Sequence, residues 1–169
     1  KNFKVQIIRS ILMVTATSFM FYSLQKFDLV DIYVVFFTAP LIVSLLSAYF
    51  LKDILSTKGI LLMLLSFGSI VYSLGPSMRI FSLDLIFPIV PPICWALYQF
   101  FTKLVSDDND PFAAIFYTSS LGAIIFSIFI YFNWLPLEKN IFWLYLVILG
   151  VAGFVSHSLI IYAIQLSNL

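Results

Sequence analysis

The stretch IFWLYLVILGVAGFVSHSLIIYAIQL, residues Ile141–Leu166, contains no Asp, Glu, Lys or Arg. A helix that crosses a lipid bilayer needs about 20 predominantly apolar residues. This stretch is therefore long enough to span a membrane by itself. The only histidine of the chain, His157, lies inside it between two serines, so the stretch also raises the question of what a titratable side chain does there.

The composition of the whole chain agrees with a membrane protein. Hydrophobic residues make up 62% of the 169 residues and charged residues only 10%, whereas a soluble domain has about 45–50% and 25%. The net charge of +1 gives no reason to expect a nucleic-acid partner. Cys94 is the single cysteine, which excludes an intrachain disulfide.

Five further apolar stretches are separated from Ile141–Leu166 and from one another by short polar breaks such as SDDNDP. Because the breaks are short, neighbouring spans are expected to run antiparallel. The sequence therefore predicts an all-α integral membrane protein, a bundle of about six transmembrane helices in the lipid bilayer. The six predicted spans are Ile7–Gln25, Val30–Leu51, Gly59–Leu74, Leu85–Val105, Phe112–Trp134 and Ile141–Leu166.

The distribution of Lys and Arg predicts the orientation of the spans. The side with more of these residues is expected to be cytoplasmic, which places the N-terminus in the cytoplasm. Arg9 and Asp84 fall near span ends, where their side chains are expected to reach water. One side carries Lys1, Lys4, Arg9, Lys52, Lys58 and Lys103, and the other carries Lys26, Arg79 and Lys139.

The first and sixth spans resemble each other. VTATSFMFYSLQKFDL (Val14–Leu29) aligns without a gap on FVSHSLIIYAIQLSNL (Phe154–Leu169), and the shared residues are Ser, Tyr, Gln and Leu. Spans five crossings apart run in opposite directions, so this pattern indicates an inverted repeat, which is common in secondary transporters. The identical pairs are Ser18 with Ser158, Tyr22 with Tyr162, Gln25 with Gln165 and Leu29 with Leu169.

Polar residues form a stripe on the first span, because Thr15, Ser18, Tyr22 and Gln25 recur at helical spacing. Two interpretations remain open for the stripe and its counterpart on the sixth span. Ser and Thr hydroxyls inside a membrane often serve helix packing, and the glutamines could anchor the membrane interface. Alternatively, Ser18, Tyr22, Gln25, Ser158, Tyr162 and Gln165 line a substrate cavity, an interpretation that is stronger for the tyrosines.

The fourth span carries a second polar face, with Trp95, Tyr98 or Gln99, and Thr102. An aromatic side chain can simply fill space, but an amide such as Gln99 has hydrogen-bonding groups that hydrocarbon cannot satisfy. Trp95, Tyr98 and Gln99 are therefore candidates for lining a substrate cavity, with packing as the alternative.

For His157, three roles are open. Ionisable residues deep in a span usually face the bundle interior or a water-filled cavity. The imidazole could contact substrate, could take up a proton and couple transport to a proton gradient, or could be a neutral structural group bonded to a neighbouring helix. Its counterpart in the first span is Thr17.

Two blocks of the chain resemble the EamA-type repeat of the drug/metabolite transporter superfamily. In Ile7–Asp53 the marks are Arg9 before the span, an FYSLQ-like end, and a TAPL segment that places Pro40 inside the next span. Asp53 stands where that family usually has Glu. PPICWALYQFFTKL (Pro91–Leu104), with Trp95, Ala96 and Tyr98, resembles the opening span of the second repeat.

The resemblance implies a ten-helix inverted-repeat transporter fold with five spans per repeat. Residues 1–76 would then be the last three spans of the first repeat and residues 77–169 the first three of the second, so we expect a fragment of a longer chain. Pro40, Pro91 and Pro92 would kink their helices.

The same resemblance implies a secondary transporter in a bacterial inner or plasma membrane. It would move a small metabolite, such as an amino acid, a nucleoside or a conjugate, by alternating access. It implies no cofactor, metal or enzymatic activity; protons are a candidate coupling ion, and a homodimer is compatible with it.

Two other classes remain as alternatives. An intramembrane hydrolase could use His157 with a serine of another helix, but the chain has no glycine-flanked serine nucleophile and no metal-binding motif. A non-transporting membrane subunit would need no more than six spans.

Overall fold

The computed structural model describes residues 3–50, 56–74, 84, 86–104, 111–134, 136 and 139–166. Within these ranges the chain is helical and forms no strand, so the predicted all-α class is confirmed and each of the six predicted spans contains helix. The helices are α1 (Phe3–Ser23), α2 (Leu29–Phe36), α3 (Ala39–Phe50), α4 (Thr57–Leu74), α5 (Ile86–Leu104), α6 (Pro111–Asn133) and α7 (Ile141–Leu166).

The second predicted span is divided into α2 and α3. Proline has no backbone N–H, so Pro40, the second residue of α3, cannot bond to the carbonyl of Phe36 four residues earlier. Thr38, between the two helices, donates its hydroxyl to the Val35 carbonyl at 2.7 Å. The side chain of Thr38 thus bonds to the end of α2 at the position where the helix is interrupted.

Helix α5 continues through Pro91 and Pro92, and Pro88 in its first turn is buried together with them. Within the residues that the structure describes, four other apolar segments are long and apolar enough to cross a membrane, and α5 is not among them. Its prolines, Gln99 and Lys103 make α5 more polar than these segments. The four segments are Phe3–Ser23, Leu29–Phe50, Phe112–Phe132 and Ile141–Ile164.

Residues 141–152 of α7 are all exposed although nearly all of them are apolar. A water-soluble monomer rarely exposes such a continuous apolar surface, whereas lipid accepts it. Farther along, α7 packs against α6 through the buried side chains of Ala114, Ile115 and Ile161.

The chain divides into two compact units, which are described separately. One consists of Lys1–Ile11 with Phe101–Leu169, and the other of Leu12–Phe100. In the second unit α2 packs against α4, and Ile32, Ala39 and Ala96 are almost completely buried.

Candidate functional site

An aromatic group joins α2 to α5 within residues 12–100. The Trp95 ring lies 5.9 Å from the Phe36 ring and 5.6 Å from the Tyr98 ring, measured between centroids, which is the usual separation of interacting aromatic rings. Tyr98 is 1% exposed and is therefore part of the core, while Trp95 is half-buried. Of the two predicted aromatic residues, Trp95 is the more accessible.

Gln99 lies one helical turn after Trp95, on the same side of α5. Its side chain is half-buried, and its Oε1 atom is buried without a hydrogen-bond partner in the described part of the protein. A buried amide oxygen without a donor is energetically unfavourable. Gln99 is therefore a predicted site residue whose Oε1 atom is available to accept a hydrogen bond.

The polar stripe of the first span is shorter than predicted. Helix α1 ends at Ser23, and Gln25 lies in the following turn, where its N–H donates to the Tyr22 carbonyl at 3.2 Å. Ser18 is half-buried within α1. Tyr22, in the last turn of the helix, packs against Phe87 with ring centroids 4.4 Å apart and the rings tilted by 41°. The stripe on the helix therefore ends at Tyr22.

On α7 the corresponding residues have different environments. The Ser158 hydroxyl donates to the Phe154 carbonyl of the same helix at 2.7 Å, which agrees with the packing interpretation for this residue. The Tyr162 ring meets the Phe112 ring edge-on at 6.4 Å. His157 is half-buried, and the side chain of Gln165 lies outside the described part of the structure.

The expectation that Arg9 reaches water is wrong. Arg9 is completely buried; its Nη1 donates to Gln6 Oε1 at 2.7 Å and its Nε to Thr102 Oγ1 at 3.0 Å. Gln6 and Thr102 are buried as well. Arg9 lies two turns inside α1, which begins at Phe3, and a charged residue within a membrane-spanning helix usually faces the protein interior.

An exposed ionic contact lies near the other end of α1. Lys26, in the turn after the helix, has its Nζ 2.5 Å from Asp84 Oδ1, and the two side chains are 35% and 48% exposed. The same Nζ is 5.7 Å from the centroid of the Tyr22 ring and 5.2 Å from that of Phe87. The hydrogen bond to Asp84 raises the pKa of the Lys26 ammonium above its usual value.

A cavity of about 460 Å³ lies between α3 and α4, and it includes none of the predicted site residues. Thr38, the one polar residue among the described residues that line it, donates its hydroxyl to the Val35 carbonyl. The other described lining residues are apolar. It is lined by Thr38, Leu41, Ile42, Leu45, Ile60, Met63, Leu64 and Phe67.

These features define a helical membrane protein whose spans carry a small number of polar side chains among many aromatic ones. The sequence pattern of the EamA-like transporter family matches residues 83–169, more than half of the chain. The chain belongs to the EamA-like transporter family. Comparison with curated proteins found no match, and comparison with solved structures found none either.

Membership of this family implies that the protein is a membrane transporter with a small-molecule substrate in a lipid bilayer. Proteins of the family are typically transporters and not enzymes. The predicted resemblance is thereby confirmed over residues 83–169.

Proposed function

We propose that the protein is a secondary transporter that moves a small metabolite, such as an amino acid, a nucleoside or a conjugate, by alternating access between inverted repeats. The observation that carries this proposal is the family match over residues 83–169. That region includes Trp95 and Gln99 and begins close to the expected start of the second repeat at residue 77. The boundary between residues 76 and 77 itself lies outside the described residues.

Within that function, the face of α5 formed by Trp95 and Gln99 is the proposed substrate contact. The exposed part of the Trp95 indole can stack on a flat or apolar portion of a substrate. The Gln99 Oε1 atom can accept a hydrogen bond from a substrate N–H or O–H, which would satisfy an oxygen that has no donor in the described structure. A substrate with an apolar body and a nearby donor fits both groups.

Uptake by the intact protein in proteoliposomes tests this proposal. Radiolabelled amino acids and nucleosides would be screened first, and the best substrate would then be used for variants. We expect Gln99→Leu to lower uptake roughly tenfold, since losing one good hydrogen bond corresponds to about 1.4 kcal/mol. The matched control is Ser69→Ala on α4, because the Ser69 hydroxyl bonds to its own helix at Leu65. Equal uptake by both variants would remove Gln99 from the substrate site.

His157 on α7 is proposed as a second substrate contact, and proton coupling through its imidazole is tested in the same vesicles. Uptake would be measured with and without an inward proton gradient, in the wild type and in His157→Ala. Loss of gradient stimulation in the variant would support coupling through His157. Uptake that is unchanged by the substitution would exclude the histidine from the mechanism.

The membrane is proposed to be a bacterial inner or plasma membrane, with the N-terminal end of α1 on its cytoplasmic side. This orientation follows from the excess of Lys and Arg on that side. Labelling of single cysteines in intact cells by a membrane-impermeant maleimide tests it: a cysteine at Lys139 should react and one at Lys58 should not.

A further inference from the structure

We propose that Asp84, Tyr22 and Phe87 form a binding site for an organic ammonium group, in which the Lys26 side chain is a tethered occupant. The inference deepens the proposed transport function, on which its biological meaning rests, because it names a chemical class of substrate. All four residues belong to the same compact unit, Leu12–Phe100.

The site contains both elements that recognise an alkylammonium ion. The Asp84 carboxylate accepts a charge-assisted hydrogen bond at 2.5 Å from the ammonium nitrogen of Lys26. The rings of Tyr22 and Phe87 lie 5.7 and 5.2 Å from the same nitrogen. These distances are within the range in which a cation is attracted to an aromatic ring. An ammonium group is therefore already bound there, and it is supplied by the protein.

The position of the rings and of Lys26 does not depend on the ion pair alone. The rings of Tyr22 and Phe87 pack against each other at a tilt of 41°, and Phe87 also contacts Phe19, with centroids 5.9 Å apart. The turn that carries Lys26 is fixed by hydrogen bonds from the N–H groups of Lys26 and Phe27 to the Ser23 carbonyl, both 3.0 Å long. Removing the lysine side chain should therefore leave the two rings in place, and Asp84 precedes one of them, Phe87, by only three residues.

The lysine can be displaced because the contact is open to water. The side chains of Lys26 and Asp84 are 35% and 48% exposed, and ion pairs of this kind hold their partners weakly. The tether nevertheless gives Lys26 a high effective concentration, on the order of millimolar or more. To displace Lys26, an external amine must therefore be abundant or must contact the two rings with an apolar portion of its own.

The predicted substrate class is accordingly a metabolite that carries a primary ammonium group beside an apolar or flat portion. In transport, such a molecule would exchange with Lys26 at Asp84, and the lysine ammonium would move into water. The charge of the site stays constant during this exchange, because one monovalent cation replaces another.

Equilibrium dialysis of radiolabelled n-propylammonium against the intact protein in detergent tests the site. This ion replaces the atoms that Lys26→Ala removes. We expect Lys26→Ala to bind it roughly tenfold more tightly than the wild type, because the tethered competitor is gone. The double variant Lys26→Ala/Asp84→Asn should lose this binding. Any ion that it still retains measures partition into the detergent micelle. Lys139→Ala, which removes an exposed lysine elsewhere, should bind like the wild type.

Equal binding by Lys26→Ala and the double variant would overturn the proposal and leave Lys26–Asp84 as a structural contact only. Competition by neutral n-propanol would also overturn it, because the recognition would then not involve charge. Thermal unfolding of each variant shows that it is folded. The assay measures no transport, so a negative result leaves the proposed transport function intact. Conversely, a protein that binds the ion but transports nothing would contradict only the transport function.

Discussion

Two polar contacts, one made by Arg9 of α1 and one by Lys26 in the turn after α1, differ in burial. Near the start of α1, Arg9 is completely buried and donates to Gln6 and Thr102. After its end, Lys26 pairs with Asp84 where both side chains remain partly exposed. Each contact includes a cationic side chain, but the one at Arg9 is shielded from water and the one at Lys26 is not.

We expect burial, more than charge, to determine how strongly each of these contacts holds. An exposed ion pair exchanges with water at little cost, whereas breaking a buried hydrogen bond leaves a polar group that neither water nor lipid can satisfy. The guanidinium of Arg9 can also serve two acceptors at fixed angles, which an ammonium group does less well. We therefore expect the Arg9 contact to be permanent and the Lys26 contact to be exchangeable.

The largest predicted effect is that of Arg9→Met. The substitution keeps an apolar stem but leaves Gln6 Oε1 and Thr102 Oγ1 without these donors, which should lower the free energy of unfolding by about 2–4 kcal/mol. The measurement is denaturant or thermal unfolding of the protein in detergent. Lys4→Met is the matched control, since Lys4 is a basic residue of the same helix and is exposed. Equal destabilisation by the two variants would contradict the role of burial.

Thr102→Val isolates one hydrogen bond of the buried contact. Valine has nearly the shape of threonine but offers no acceptor to the Nε of Arg9, so we expect a loss of about 1–2 kcal/mol in unfolding free energy. Thr102→Ser keeps the hydroxyl and should restore most of that stability. If serine is no better than valine, the 3.0 Å contact does not contribute as a hydrogen bond.

Gln99→Leu tests a buried amide oxygen that accepts no hydrogen bond from the described residues. Because its Oε1 lacks a donor within the described residues, replacing the amide by a hydrocarbon side chain should raise stability by about 1 kcal/mol, while uptake falls. A higher unfolding midpoint together with weaker transport is typical of a residue kept for function. Loss of stability would instead indicate that the amide supports the fold.

The fold could be predicted largely from the sequence. Uncharged apolar stretches such as Ile141–Leu166 are long enough to identify a span, and in lipid a single span must be helical to satisfy its backbone. The division of the second span beside Pro40 also has a local cause, the missing N–H of proline. The end of α1 at Ser23, two residues before the predicted end, was less predictable, because no Gly or Pro marks the end of the helix in residues 23–28.

The polar contacts were harder to predict, because they join residues that are distant in the chain. Arg9 and Thr102 are 93 positions apart and Lys26 and Asp84 are 58 apart. Hydropathy and helical spacing describe one helix at a time, so they placed Thr102 on a polar face without indicating its partner. The family match supports a transporter, but the assignment of Trp95, Gln99 and His157 to a substrate site remains a prediction.

The smallest predicted effect concerns Lys26→Ala, which should hardly change stability at neutral pH. The pKa of Lys26 is higher in the folded protein than its usual value, so the contribution of the ion pair is present below about pH 10.4, the ordinary lysine pKa. It is lost as the pH rises through the higher pKa of the folded state. The difference in unfolding midpoint between the wild type and Lys26→Ala should therefore stay constant from pH 8 to about pH 10 and shrink as the pH is raised further. The difference between the wild type and Lys26→Ala should also be smaller in 1 M salt than in low salt at pH 8, because salt screens exposed charges. The effect of Arg9→Met should be the same in low salt and in 1 M salt. A Lys26 difference that is independent of pH and salt would mean that its alkyl chain, packed on Tyr22 and Phe87, provides the stabilisation and not its charge.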